Sequence, residues 1–248
     1  MKIKNAVALV TGANRGIGSA FVECLISRGV KKIYAGVRDL SCVDSLVNAH
    51  PDLVHPIILD ITIQNQIEAA VKETNDVTLL INNAGTNSNT ALVAVDGLDK
   101  ARGEMETNYF GTLSMCRTFA PILKNNGGGT IINMLSILSL VNLPASGSYS
   151  VSKAAAYSMN QGVRAELATQ QTTVIGVMPG AVDTDMAKEF EGPKEKPFDV
   201  AEAAIKAVED DLEDVFPGDM AQAVSQGHAQ DAKAVEQEFS AYLSLIHI

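Results

Sequence analysis

The sequence predicts an α/β fold: a doubly wound parallel sheet of about seven strands with helices on both faces. Three observations predict it. Short apolar runs alternate with helix-like segments, a glycine-rich turn at residues 11–18 follows the first apolar run, and 46% of the 248 residues are hydrophobic while 19% are charged. Such a chain can build a two-sided core, and we expect one domain spanning residues 1–248.

Strand and helix signals follow each other at short intervals, which favours parallel strands joined by crossover helices. The first strand is the apolar run 6–10 and the first helix is 19–28. Further strands are predicted at 31–37, 55–59, 77–81, 130–135, 173–178 and 214–216. Further helices are predicted at 39–49, 64–73, 97–123, 148–169, 200–210 and 221–243. Residues 185–198 are rich in Lys, Glu, Gly and Pro and are predicted to form a mobile loop beside the substrate.

The composition and net charge of the chain make some classes of binding partner unlikely. A net charge of −10 and a pI near 4.8 disfavour binding to nucleic acid or to an anionic membrane. Cys24, Cys42 and Cys116 are far apart and odd in number, which is typical of a reducing, cytoplasmic compartment. The four histidines form no ligand cluster, so no metal site is expected. The apolar tail 242–248 either docks on a neighbouring subunit or is a cloning artefact, and it is assigned no function.

The glycine-rich turn predicts a phosphate-binding site. Gly12 and Gly16 lack a side chain where the backbone must turn and approach a ligand, and Gly18 lets the helix pack on the strand. The free N–H groups at the start of that helix suit a pyrophosphate. The spacing Gly-x3-Gly-x-Gly also occurs in purely structural turns, so this signal is weak when taken alone.

Polar residues follow the predicted strands at the edge where ligands bind in open α/β sheets. Arg38 ends the second strand, and with Arg15 in the glycine turn it would accept a ribose 2′-phosphate, which favours NADP(H) over NAD(H). The alternative is a surface Arg38 paired with Asp39. Asp60, after the third strand, could accept an adenine amino group.

A serine, a tyrosine and a lysine could carry acid–base chemistry. Ser136 ends the fifth strand, and Tyr149 and Lys153 lie four residues apart, on one face of a helix. A nearby ammonium is expected to lower the pKa of the Tyr149 phenol and make it a usable proton donor. The alternative is an ordinary surface pair on a helix.

In order and spacing, the motifs resemble the single-domain short-chain dehydrogenase/reductase family, and within it the NADPH-dependent carbonyl reductases. The matching residues are Thr11-Gly12-x3-Gly16-x-Gly18, Asp60, Asn82-Asn83-Ala84-Gly85, Asn108, Ser136, Tyr149-x3-Lys153 and Pro179-Gly180-x-Val182-x-Thr184. The resemblance implies a Rossmann-type sheet of order 3-2-1-4-5-6-7, a nicotinamide coenzyme and a homodimer or homotetramer. The C-terminal quarter, with Asp214 to Gly218 near the last strand, departs from the commonest family pattern.

The resemblance also implies individual roles. Tyr149 would donate the proton, Ser136 would hold the carbonyl oxygen, and Lys153 would bind the nicotinamide ribose. Asn108 would position a water that returns the proton through Lys153. The implied coenzyme contacts are Gly12, Asn14, Arg15, Gly16, Ile17, Gly18, Arg38, Asp60, Ile61, Asn83, Ala84, Gly85, Tyr149, Lys153, Pro179, Gly180, Val182 and Thr184.

The expected activity is NADPH-dependent reduction of a ketone or aldehyde to an alcohol. Ile137, Leu138, Leu143 and Met186 are expected to line an apolar substrate pocket, although core packing explains them equally well. Imine reduction and oxidation of steroid or sugar alcohols are the enzymatic alternatives. A protein that senses NADP without chemistry is a third interpretation.

Overall fold

The computed structural model describes residues 1–242 and contains a seven-stranded sheet whose paired strands are all parallel. The strands are Val7–Thr11 (β1), Lys32–Val37 (β2), Val54–Ile58 (β3), Leu79–Asn82 (β4), Gly129–Met134 (β5), Thr172–Val177 (β6) and Asp214–Val215 (β7). Their order is β3-β2-β1-β4-β5-β6-β7, which confirms the predicted fold and strand order. Of the tail 242–248, residues 243–248 lie outside the described part of the chain.

Helices connect the strands at the predicted positions, with three differences in detail. They are Gly16–Ser27 (α1), Asp44–Ala49 (α2), Gln64–Glu73 (α3), Asp99–Met105 (α4), Thr112–Asn125 (α5), Gly147–Leu167 (α6), Pro197–Asp210 (α7) and Asp219–Ser240 (α8). The helix predicted at 39–49 is a 3-10 turn, Leu40–Val43, followed by the shorter α-helix α2. The single helix predicted at 97–123 is instead α4 and α5 joined by a π-helical stretch, Glu106–Gly111. None of the helices within residues 1–242 has the length and apolar character needed to cross a bilayer.

The last predicted helix is interrupted at Asp231, whose backbone is extended (φ −152°, ψ 88°). Its Oδ1 accepts hydrogen bonds from the N–H groups of Lys233 and Ala234, both at 3.0 Å. Asp231 therefore caps the N-terminus of a new helical segment within α8, as short acidic side chains commonly do.

The core has two layers because the central strands are covered on both faces. Within β1, Ala8 and Val10 face the layer built with α1 and α7, and Val7 and Leu9 face the layer built with α3 and α5. All five residues of β1 are buried. This double burial explains why the strands of a parallel sheet appear in the sequence as continuous apolar runs.

A chain of buried amides crosses the apolar core. Asn82 Nδ2 donates to Asn133 Oδ1 at 2.8 Å, and Asn133 Nδ2 donates to Asn160 Oδ1 at 2.8 Å. All three side chains are at most 3% exposed. The amide chain fixes β4, β5 and α6 relative to one another, since a buried amide without a partner is costly.

Candidate active site

The glycine turn between β1 and α1 has the geometry that its sequence predicts. Gly12 (φ 65°) and Gly16 (φ 55°) have left-handed backbone conformations that favour glycine. A Cβ on Gly18 would lie 2.0 Å from the Gly12 carbonyl oxygen, so no other residue fits there. The turn thus brings the backbone and the N-terminus of α1 to the carboxyl edge of the sheet, which is the geometry that binds a pyrophosphate.

The Thr11 hydroxyl joins the ends of β1 and β4. It accepts hydrogen bonds from the N–H groups of Asn83 (2.9 Å) and Ala84 (3.0 Å). Asn83 Nδ2 in turn donates to the carbonyl oxygens of Thr11 (2.9 Å) and Gly12 (3.2 Å). The Asn83 side chain therefore holds the turn, and only its neighbouring backbone remains for a ligand.

The two predicted phosphate-binding arginines have different surroundings. Arg38 is exposed and makes no hydrogen bond or ion pair within residues 1–242. The Asp39 carboxylate accepts instead from the N–H and Oγ of Ser41, at 3.0 and 2.8 Å, so the alternative pairing of Arg38 with Asp39 is wrong. Arg15 Nη1 lies 2.7 Å from Asp185 Oδ2, and both side chains are largely exposed (68% and 76%).

A hydrogen-bond acceptor and a cavity lie near the glycine turn, where the adenine is expected to bind. Asp60 uses Oδ1 to accept from the N–H and Oγ1 of Thr62, at 2.9 and 2.7 Å. A cavity of about 260 Å³ lies between the glycine turn and the start of α2. It is lined by Ala13, Asn14, Ser19, Glu23, Cys42, Val43, Ser45 and Leu46. A larger cavity, about 440 Å³, lies at the opposite, amino end of the sheet, away from these groups.

Ser136, Tyr149 and Lys153 meet in a buried cluster, as predicted. Ser136 is 7%, Tyr149 8% and Lys153 5% exposed. The Ser136 and Tyr149 side chains are hydrogen-bonded, and Lys153 Nζ lies 5.7 Å from the centroid of the Tyr149 ring. Lys153 Nζ also donates to the Met134 carbonyl oxygen at the end of β5, at 2.6 Å. A hydroxyl, a phenol and an ammonium thus converge beside the carboxyl edge.

The expected lowering of the Tyr149 pKa is wrong. Burial raises the pKa of the phenol to about 12; the hydrogen bond with Ser136 acts against this, and the negative charge of Glu104 adds to it. Burial also lowers the pKa of Lys153 to about 8. The phenol is therefore held in its protonated form, because desolvation penalises the phenolate more than its neighbours stabilise it.

Asn108 lies in the π-helical stretch and is 1% exposed. Its Oδ1 accepts from the Thr86 N–H at 2.9 Å, and its Nδ2 donates to the Thr86 carbonyl oxygen at 2.8 Å and to Ser152 Oγ at 2.9 Å. The Ser152 hydroxyl donates to the Tyr149 carbonyl oxygen at 2.7 Å. The side chain of Asn108 therefore ties the chain after β4 to the helix that carries Tyr149.

The other residues predicted to contact the coenzyme or the substrate are either buried or partly exposed. Ile61, Ile137 and Val182 are at most 5% exposed and pack in the core, so only their backbones can meet a ligand. The Ile137 N–H donates to the Pro179 carbonyl oxygen at 3.0 Å. Leu138 and Leu143 are half-buried at the site, and Met186 is 41% exposed.

The loop that was predicted to be mobile is anchored at both ends in the structure. Residues 185–187 form one helical turn, and α7 begins at Pro197. The Asp183 N–H donates to the Glu195 carbonyl oxygen, and the Glu195 N–H donates to the Ala181 carbonyl oxygen, both at 2.9 Å. Thr184, just before this loop, packs against the glycine turn: a Cβ on Gly16 would lie 3.1 Å from Thr184 Cγ2. The start of the loop therefore lies directly over the glycine turn.

Sequence reasoning missed one charged residue at the site. Glu104 is fully buried in α4 and accepts a hydrogen bond from the Ser88 N–H at 2.6 Å. It precedes Asn108 by one helical turn, so it lies on the same helix face. That spacing was the available signal, but nothing in the sequence distinguishes a buried glutamate on this helix from a solvated one.

A sheet of this order with a glycine turn and a Ser–Tyr–Lys cluster at its carboxyl edge defines a dinucleotide-dependent oxidoreductase. The short chain dehydrogenase family model matches residues 6–195, and the chain belongs to that family. An uncharacterized oxidoreductase of Staphylococcus saprophyticus is 33% identical over 220 residues, covering 84% of this chain and 93% of that protein.

Two solved structures are similar in fold. A Burkholderia cenocepacia short chain dehydrogenase in complex with NADP has a TM-score of 0.91 and 45% identity, covering 96% of this chain and 99% of that one. A Burkholderia phymatum short chain dehydrogenase/reductase in complex with NAD has a TM-score of 0.82 and 23% identity, covering 94% and 96%. Since one is in complex with NADP and the other with NAD, the fold alone does not select the coenzyme.

The lowered pKa of Lys153 predicts how stability depends on pH. Between about pH 8 and the ordinary lysine value of about 10.4, the unfolded chain binds more protons at this residue than the native protein, so the free energy of unfolding rises with pH. From pH 7 to pH 10 without coenzyme, we expect wild type to gain about 2 kcal/mol relative to Lys153→Met, measured by urea unfolding. The exposed control Lys124→Met should show no such trend. A constant difference for Lys153→Met would contradict the assignment.

Proposed function

We propose that this single-domain protein reduces a ketone or aldehyde carbonyl to an alcohol with NADPH, reversibly. The observation that carries the proposal is the buried Ser136–Tyr149–Lys153 cluster beside the glycine turn. Tyr149 can supply a proton, Ser136 can hold the carbonyl oxygen, and Lys153 supplies a positive charge. Because these three residues and Asn108 are all present, the chain is better explained as an enzyme than as a protein that binds NADP without catalysing a reaction.

The chain's own groups support a simple mechanism. The coenzyme, when bound, supplies the hydride. Tyr149 gives its proton to the carbonyl oxygen. Burial keeps the phenol protonated at neutral pH, and the positive charge of Lys153, 5.7 Å from the ring centroid, favours the transfer by stabilising the phenolate left behind. Ser136 would hold the same oxygen by a hydrogen bond, and Lys153 would hold the nicotinamide ribose. Asn108 positions the water that returns the proton through Lys153. Burial of the cluster excludes other water from the transfer.

The coenzyme would lie along the carboxyl edge from β2 to β5. The turn formed by Gly12, Gly16 and Gly18 suits the pyrophosphate, and Asp60 suits the adenine amino group. The Arg38 guanidinium, which has no ion-pair partner among residues 1–242, would accept a ribose 2′-phosphate. The similar B. cenocepacia structure in complex with NADP supports this choice.

The residues expected to contact the substrate are apolar. Leu138, Leu143 and Met186 would contact the groups that flank the carbonyl, which favours uncharged ketones and aldehydes. The loop 185–198 carries Met186, and we propose that it moves to admit the substrate.

Replacement of Tyr149 by Phe removes the proton donor while keeping the ring in its buried position. We expect kcat for carbonyl reduction to fall at least about 100-fold, because general acid catalysis contributes that much. The Kd for NADPH should change little. Steady-state NADPH oxidation and coenzyme titration measure the two, with Tyr157→Phe, two turns further along α6, as the control. Undiminished turnover in Tyr149→Phe would eliminate the proton-donor role.

Replacement of Arg38 by Asp should change the coenzyme preference. The substitution removes the cation and adds a carboxylate that suits a free ribose 2′-hydroxyl. We expect the ratio of kcat/KM for NADPH over NADH to fall by about 10- to 100-fold, the value of charge-assisted hydrogen bonds to one phosphate. Lys72→Asp makes the same charge change on α3 and should leave the ratio unaltered. A ratio that stays constant in Arg38→Asp would assign phosphate recognition elsewhere.

We also propose that two copies associate through the helices after β4 and β5. Phe110, in the π-helical stretch, and Val151, on α6, are 49% and 45% exposed, which leaves apolar surface for a second copy. Phe110→Glu should reduce the mass found by light scattering in solution, whereas Leu212→Glu, elsewhere on the surface, should not. A monomeric wild type would refute the assembly.

A further inference from the structure

Arg15 and Asp185 form an ion pair between the glycine turn and the loop 185–198, which lies over it. Arg15 Nη1 lies 2.7 Å from Asp185 Oδ2, although the two residues are 170 positions apart in the chain. Neither side chain has another ion-pair partner or side-chain hydrogen bond among residues 1–242. Breaking this one contact therefore frees both charges.

The backbone holds both members of the pair in place. Arg15 directly precedes the first turn of α1, and its backbone is extended (φ −159°, ψ 169°). Asp185 begins a helical turn in which the Ala187 N–H donates to the Thr184 carbonyl oxygen at 3.1 Å. Because Thr184 packs against Gly16, the two chain segments meet beside the pair. The ion pair thus has a defined position over the turn that suits the coenzyme's phosphates.

Arg15 and Arg38 follow neighbouring strands at the same edge of the sheet. β1 and β2 are paired in parallel, and the Ala13 N–H donates to the Gly36 carbonyl oxygen at 3.3 Å, so the two chains are still adjacent there. Arg15 and Arg38 each come two residues after this contact. Both therefore border the part of the edge where the ribose 2′-phosphate is expected. The Arg15 side chain is 68% exposed, so little packing opposes its rotation from the loop toward that phosphate.

The two possible partners of Arg15 differ in charge and geometry. A guanidinium binds a phosphate through two parallel charge-assisted hydrogen bonds, and a phosphate monoester carries about 1.5 to 2 negative charges at neutral pH. The Asp185 carboxylate carries one charge, and the ion pair is weak because both side chains are largely exposed. A 2′-phosphate can therefore displace the carboxylate, but the broken pair reduces the affinity gained. NADH has no 2′-phosphate and leaves the pair intact.

We propose that Asp185 is a specificity-determining residue that competes with the 2′-phosphate of NADPH for Arg15 and so lowers the preference of the site for NADPH over NADH. The inference rests on the proposed function, in which NADPH is the coenzyme, and deepens it by assigning a role to a residue of the loop 185–198. Arg38, which has no ion-pair partner among residues 1–242, meets no such competitor.

The test is Asp185→Asn, which removes the charge and keeps the size of the side chain. We expect the Kd for NADPH to fall about two- to fivefold, the value of an exposed ion pair, while the Kd for NADH stays unchanged. Fluorescence titration with each reduced coenzyme measures both constants. Asp183→Asn removes an exposed carboxylate that has no ion-pair partner within residues 1–242, and it should change neither constant.

Three results of this titration would overturn the proposal. Equal tightening of NADPH and NADH would assign Arg15 to the pyrophosphate. Equal weakening would make the ion pair a strap that retains either coenzyme. Unchanged constants for both coenzymes would leave Asp185 without a role in coenzyme selection. Since both side chains are largely exposed, none of the substitutions should alter the fold.

A double-mutant cycle shows whether Asp185 acts through Arg15. In Arg15→Gln no guanidinium remains to be shared, so adding Asp185→Asn should leave the ratio of the two Kd values unchanged. A ratio that still shifts in this background would mean that the carboxylate acts on the coenzyme directly, which refutes the competition. The titration needs no turnover. A wild type that reduces no carbonyl yet shows the expected shift would refute carbonyl reduction and support the competition, and one that binds neither coenzyme would refute both.

Discussion

The burial of a phenol and an ammonium side by side is the constraint on which the rest of the site depends. Neither Tyr149 nor Lys153 has its ordinary pKa, because both are removed from water. Such groups keep a fixed geometry only when the surrounding structure holds them. The Met134 carbonyl holds Lys153 and the Ser152 hydroxyl holds the backbone of Tyr149, so the strand and the helix position one group each.

The fold was largely predictable because double burial leaves a direct mark on the sequence. Each predicted strand is present within two residues of its expected bounds, and the glycine turn has the expected left-handed residues. The break in α8 was not predicted, since an aspartate within a polar helix gives no signal unless its capping bonds are known. The π-helical stretch was not predicted either. Within it Gly111 packs closely against Ile61, since a Cβ there would lie 2.9 Å from Ile61 Cγ1.

The candidate site was predictable in its members but not in its electrostatics. Sequence spacing placed Ser136, Tyr149 and Lys153 together, and the structure agrees. Sequence spacing does not measure desolvation, so the direction of the Tyr149 pKa shift was wrong. For the same reason Glu104 was missed: an acidic residue on a helix is usually solvated, and only the packing of α6 and residues 86–90 removes it from water.

The amide chain of Asn82, Asn133 and Asn160 has a further effect on how the molecule behaves. Asn82 and Asn133 each point their donor at the next acceptor, so the orientation of one amide determines the others. Turning a single member would set oxygen against oxygen or NH₂ against NH₂, and the three can therefore reverse only in concert. The hydrogen bonds therefore couple β4, β5 and α6, because the three amides keep or change their orientations together. This chain borders the site through Asn133, because the next residue, Met134, accepts the hydrogen bond from Lys153 Nζ.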